Sequence, residues 1–140
     1  MLKQELIDLS KYRLEKANDM VNAALRDRAD GDYASANNRA YYSIFHAMRA
    51  VLAMEQKDFG KHSGVIAEFM KSYLKTDILP RKYGTLISTA SLIRNRSDYQ
   101  DFYICSEEDT NRLIEGAIAF LADVKAYLEE QYTQNKAGKE

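Results

Sequence analysis

Three short groups of residues in this chain carry side chains that could do chemistry together. The first is Arg94 with Asn95, and with Asp98 and Tyr99 one turn further on. A guanidinium suits phosphate, because its planar fork meets two oxygens at once. The second is Arg39, Tyr42, His46 and Arg49, which fall within about 80° of one another on a helical wheel. They form a polar strip of cations, an imidazole and a phenol on an otherwise apolar segment. The third is the run Lys61-His62-Ser63-Gly64. It stands where a helix begins, and there backbone N–H groups can hold an anion.

Each group also has a purely structural reading. Tyr83, Leu86, Ile87, Ala90 and Ile93 make an apolar stripe, and at about 100° per residue Arg94 falls inside it, near the direction of Ala90. A cation on a buried face is costly unless it is paired. Arg94 could therefore be a cation held in a cleft, or half of an ion pair near a helix C-terminus, with Asp98 or Asp101 as the partner. Arg96 points to the other side. The strip on the second helix could simply face solvent or be hydrogen-bonded inside a dimer, and a lone histidine is more often a satisfied core residue than a catalyst. His62 or Ser63 could cap the third helix.

Other chemistries lack their residues. Two histidines and one cysteine cannot build a His-rich metal site, and no His-Glu-x-x-His spacing occurs. No Walker-type or dinucleotide-type glycine pattern is present, so no metal or cofactor is called for. Cys105 has no basic neighbours in sequence and reads as structural, and a single cysteine suits a reducing cytoplasm. Net charge is -1, with charged residues at 29% and apolar ones at 46%. That balance argues against broad electrostatic binding to nucleic acid, and DNA is not an expected partner, while a local RNA site stays open. No apolar run approaches the ~20 residues of a membrane span. The acidic residues in the first turns do not suit a signal peptide. A cytoplasmic protein is the expectation.

The elements that must position these groups are all helical. Across 140 residues there is one proline, Pro80, and six glycines, which favours long helices. The first helix is expected over Leu2–Ala29, with Leu6, Leu9, Leu14, Ala17, Val21, Ala24 and Leu25 inward. Gly31 breaks it, and Asp32 can cap the next. The second runs over Tyr33–Met54 and is apolar almost all round, as a central or interface helix would be. A third, shorter helix spans Ser63–Leu74 and ends in the connection Lys75–Pro80. The fourth spans Arg81–Asp98 and is followed by an aromatic, acidic loop, Tyr99–Cys105. Ser106 opens the last helix, with Asp109 three residues on as an approximate capping box; that helix reaches Tyr132. The expected architecture is all-α, an up-and-down antiparallel four-helix bundle with an additional short helix. One domain covers residues 1–133, and residues 134–140 form a polar, disordered tail. The apolar surface of the second helix predicts a homodimer.

The run Ala40-Tyr41-Tyr42-Ser43-Ile44-Phe45-His46-Ala47, then Lys61-His62-Ser63-Gly64-Val65, Leu79-Pro80, and Ile93-Arg94-Asn95-Arg96-Ser97-Asp98-Tyr99, resembles the HEPN domain superfamily, and most of all its small stand-alone prokaryotic members. The likeness spans about Lys16 to Tyr132. It implies the same bundle, a homodimer with a cleft between paired helix ends, and one of several roles: metal-independent endoribonuclease, toxin paired with a small nucleotidyltransferase antitoxin, or nucleotide-binding accessory. The family's active motif is an arginine, a polar residue and a histidine several positions on. Arg94 and Asn95 match the first two. Where the histidine would stand are Tyr99, Gln100 and Asp101.

The resemblance therefore implies a cleft with Arg94, Tyr99 and His62 as catalytic candidates. Asn95, Asp98, Lys61, His46, Arg49 and Tyr42 are the candidates for binding RNA or a nucleotide. His62 or His46 would supply the imidazole from elsewhere in the cleft. The alternative is a non-catalytic module that binds a nucleotide or a protein partner through Arg94.

Overall fold

The computed structural model describes residues 3–99 and 104–137, and within these every regular element is helical. Helix α1 spans Lys3–Ala29, α2 Tyr33–Ala53, α3 His62–Phe69, α4 Tyr83–Tyr99 and α5 Glu107–Ala137. The expected all-α bundle with one short extra helix is what forms. No described helix is long and apolar enough to cross a membrane.

Helix α2 is the axis of the bundle, packing against α1, α3, α4 and α5. Its composition explains this position. Ala36, Ala40, Ala47 and Ala50 are fully buried, and such small side chains let neighbouring helices approach closely. Ile44, Met48, Val51 and Leu52 fill the space between them. Against this axis α5 sets Ile114, Phe120, Val124 and Leu128, and α4 sets Ile87 and Ala90.

The α1–α2 turn is local chemistry. Gly31 adopts φ +79°, a region that a side chain would strain. The Asp32 carboxylate then accepts from the Ser35 amide at 3.2 Å, capping α2. At α5, the Ser106 hydroxyl accepts from the Asp109 amide, and Thr110 donates back to the Ser106 carbonyl.

Several boundaries and faces differ from the expected ones, each for a physical reason. The third helix does not stay α-helical to Leu74; Met70–Leu74 forms a π-helical turn. Lys75 N–H reaches the Met70 carbonyl, and Tyr73 is buried with its hydroxyl donating to Glu55 at 2.6 Å. Helix α4 begins at Tyr83, two residues late, because Tyr83 N–H still closes a turn on Pro80. Helix α5 continues to Ala137, into the polar segment 134–140, with Gln134 and Asn135 bonding one turn back.

In the first half of α1 the buried face is Ile7, Ser10, Arg13 and Ala17, while Leu6, Leu9 and Leu14 are only partly covered. Two polar residues can sit there because each is satisfied. The Ser10 hydroxyl lies 2.7 Å from both the Ala50 carbonyl and the Tyr132 hydroxyl. Arg13 bonds the Arg49 carbonyl and the Asp58 carboxylate.

Candidate functional site

Helices α2 and α4 and the start of α3 meet along one edge of the bundle, and the chemistry gathers there. Three sequence segments contribute. Helix α2 supplies Tyr41, Tyr42 and Phe45, α3 supplies His62, and α4 supplies Arg94 and Asn95.

Arg94 is half-buried rather than enclosed in the core. Ala90 and Ile93 beside it are buried, so the apolar stripe ends where Arg94 begins. Its guanidinium carbon stands 5.1 Å from the centre of the Tyr41 ring and 5.7 Å from that of Tyr42. Both contacts are favourable cation–π geometry. The two rings, set edge to face at 5.1 Å, act as a floor beneath the cation.

His62 is locked beside this floor. Its ring stacks on Phe45 with centroids 4.0 Å apart, and Tyr42 meets it edge-on at 5.8 Å. The Tyr41 hydroxyl lies 2.9 Å from His62 Nδ1. With Nδ1 engaged, Nε2 is the nitrogen left for a substrate; the tautomer follows from which partner holds the shared proton. Tyr41 is buried at 2% exposure, and burial raises its phenol above the ordinary range although the Arg94 charge works against this. His62 is held below its ordinary value, first by burial and then by the charges of Arg94 and Arg49. It is therefore neutral at pH 7.

Arg94, Asn95, His62, Tyr41 and Ser91 line one cavity of about 450 Å³. His62 and Arg94 therefore stand on the walls of the same cavity. Capping of α3 by His62 or Ser63 does not occur. The cap position belongs to Lys61, whose ammonium has no acceptor to offer the first N–H groups, and the His62 ring turns toward Tyr41.

The polar strip on α2 does not act as one surface. Tyr42 joins the Arg94–His62 cluster. His46 tilts against Tyr42 at 6.1 Å, but its Nδ1 is buried without a hydrogen-bond partner among the described residues. Burial, then the charges of Lys16, Arg49, Arg13 and His62, push it down to about 4. Arg49 is drawn away, its guanidinium 3.0 Å from Asp58, a carboxylate it shares with Arg13 at 3.2 Å. That clamp ties the segment after α2 back to α1. Arg39 stands 3.8 Å from Asp27. Lys61 is exposed, next in sequence to His62. The side chains of Asp98 and Tyr99, with Gln100 and Asp101, lie outside the described residues.

Two site residues escape a reading by periodicity. Tyr41 looks like an ordinary core aromatic in sequence, yet its hydroxyl orients His62. Asn37 lies one turn before it on the same face of α2, and at 2% exposure it is a buried amide. Its one sequence signal is a polar residue at i−4 from Tyr41. Among the described residues no group of three or more His, Cys, Asp or Glu is placed to hold a metal ion.

Comparison with known proteins gives a consistent result. The family model for the HEPN domain matches residues 10–127. A "UPF0332 protein" of Thermotoga maritima is 27% identical over 91% of this chain and 95% of its own length. The "Putative toxin MJ0142" of Methanocaldococcus jannaschii is 29% identical, over 89% of this chain and 80% of its own. A second protein of that organism, "Putative toxin MJ0605", is 29% identical over 91% and 89%.

Proposed function

The chain belongs to the HEPN domain family, and from that premise we propose that it is a toxin-like endoribonuclease whose cleft is built on Arg94 and His62. The names of the two Methanocaldococcus jannaschii relatives support the toxin-like part. The observation that carries the catalytic part is the shared cavity of Arg94 and His62, with Tyr41 holding His62 Nδ1 at 2.9 Å.

In this reading His62 takes the role of the histidine for which the Arg94 motif has Tyr99, Gln100 and Asp101. The RNA phosphate rests on the Arg94 guanidinium, and Asn95 adds a hydrogen bond at the rim. With the His62 hydrogen on Nδ1 and donated to the Tyr41 oxygen, Nε2 carries the free lone pair and accepts the proton of the 2′-hydroxyl as that oxygen attacks phosphorus. The O2′–P bond forms, the P–O5′ bond breaks, and the 5′ oxygen takes a proton from solvent. Arg94 offsets the charge that builds on the phosphoryl oxygens. Being neutral at pH 7, the His62 imidazole can act as a base. Tyr41 positions it and does not itself transfer a proton to substrate.

The active species is a homodimer, and a small nucleotidyltransferase is its antitoxin partner. RNA incubated with the protein in excess chelator tests the proposal. Cleavage that falls at least about 100-fold in both Arg94→Ala and His62→Gln supports it. No cleavage by wild type, or unchanged cleavage in either variant, sinks it. A second reading, a non-catalytic nucleotide-binding module, is favoured by the absence of histidine at positions 99–101. It predicts nucleotide binding that needs Arg94, without turnover.

A further inference from the structure

Arg94 also lines a second cavity, of about 360 Å³, and among the described residues it is the one that the two cavities share. This second space is bounded by the first turns of α2 and by α4, through Ser35, Asn37, Asn38, Arg39 and Ser97. Its size falls in the range of small-molecule sites, about 300–1,000 Å³.

Asn37 is the unusual group there. It is 2% exposed, and neither its amide nitrogen nor its amide oxygen has a hydrogen-bond partner among the described residues. Buried amides are nearly always satisfied, because an unpaired one forfeits its bonds to water. A carboxamide without a protein partner on a cavity wall is left to bond water or a ligand. Asn37 sits one turn before Tyr41, on the face of α2 that carries the floor beneath Arg94.

We propose that this cavity receives the base of a nucleotide whose phosphate lies on Arg94, and that Asn37 reads an adenine edge. The inference rests on the nucleotide reading of the Arg94 cleft and adds a base preference to it. A carboxamide offers a donor and an acceptor side by side. Adenine presents the complementary pair in its amino group and adjacent ring nitrogen, the match asparagine makes to this base elsewhere. Ser35, Asn38 and Ser97 give the remaining wall hydrogen-bonding capacity at the sugar. Arg94, which lines both cavities, would thus separate reading from cutting, with the base on the Asn37 side and the scissile bond on the His62 side.

Calorimetric titration with 5′-AMP and 5′-UMP at fixed salt tests this. Wild type should bind 5′-AMP about tenfold more tightly than 5′-UMP. Asn37→Ala should bring the two within about twofold, leaving 5′-UMP unchanged. Asn37→Leu keeps the volume without the amide, and its melting temperature should equal or exceed that of wild type, since an unpaired polar group has been removed. Equal affinities in wild type, or a preference that survives Asn37→Ala, overturns the base site. So does failure to bind either nucleotide, or a lower melting temperature in Asn37→Leu, which would make the amide structural. None of these results touches the cleavage assay with Arg94→Ala and His62→Gln, so the base site and the cleavage mechanism can fail separately.

Discussion

His46 offers a sharp test of the electrostatics on α2. Its ring is half-buried, with Lys16 and Arg13 from α1, Arg49 from its own helix and His62 from α3 acting on it. Every one of these neighbours disfavours a charged imidazolium. The folded protein holds His46 down to about 4, against 6.5 in an unconstrained chain. At about 1.4 kcal/mol per tenfold change in proton affinity, this is worth about 3 kcal/mol, and access of water to the ring lowers it to about 2. The sign follows from proton counting. Between pH 6.5 and 4 the unfolded chain binds a proton at this position and the folded chain does not, so stability falls as pH falls through that window. The assay is urea unfolding of wild type and His46→Gln at pH 7.5, 5.5 and 4.5. His62 and the carboxylates titrate in both proteins, so the difference between the two isolates His46. The gap in unfolding free energy should shift by about 2 kcal/mol in favour of the variant on going from pH 7.5 to 4.5. A gap that does not change with pH would refute the buried, cation-flanked description of His46.

Further outcomes follow from the same contacts. Asp58→Asn leaves the buried Arg13 guanidinium beside Arg49 without their shared carboxylate; because Asp58 is half exposed, the expected loss is about 1–3 kcal/mol by chemical denaturation. Ser10→Ala removes the link among the Ala50 carbonyl, the Tyr132 hydroxyl and α1, and should cost about 1–3 kcal/mol. Tyr132→Phe should cost less, because Ser10 keeps its carbonyl acceptor. The rate of RNA cleavage should rise with pH along an acid limb whose midpoint lies below 6.5, since His62 must be neutral to act as base and is held low by burial and Arg94. A midpoint above 6.5 in the pH–rate profile would contradict that assignment.

Much of the bundle is legible in the sequence, because α2, α4 and α5 each carry a regular apolar stripe and the capping residues Asp32 and Ser106 stand where the chain turns. Arg94 is legible for the same reason, as a charge that interrupts the stripe of Tyr83, Ile87 and Ala90. What periodicity does not reveal is pairing across segments. Ser10 and Arg13 look like surface residues until Tyr132 and Asp58 are brought to them from 122 and 45 positions away. His62 resembles a helix cap until the Tyr41 hydroxyl, 21 positions earlier, takes its Nδ1. Arg49 resembles a ligand-binding cation until Asp58 claims it. Asn37 is hidden among alanines and aromatics, since nothing in a single sequence distinguishes a buried amide from an exposed one. The π-helical turn at Met70–Leu74 likewise carries the Tyr73–Glu55 contact, which joins it to the segment after α2 from 18 positions away.

In the proposed mechanism Arg94 and His62 act as one unit in one cleft. A double-mutant cycle on single-turnover RNA cleavage in chelator measures this directly, with wild type, Arg94→Ala, His62→Gln and the double variant. Residues that serve the same transition state are strongly non-additive. The predicted result is a double variant no slower than about threefold below the slower single variant. Losses that multiply, with the double variant slower by the product of the two single effects, would show two independent sites and contradict the shared cleft.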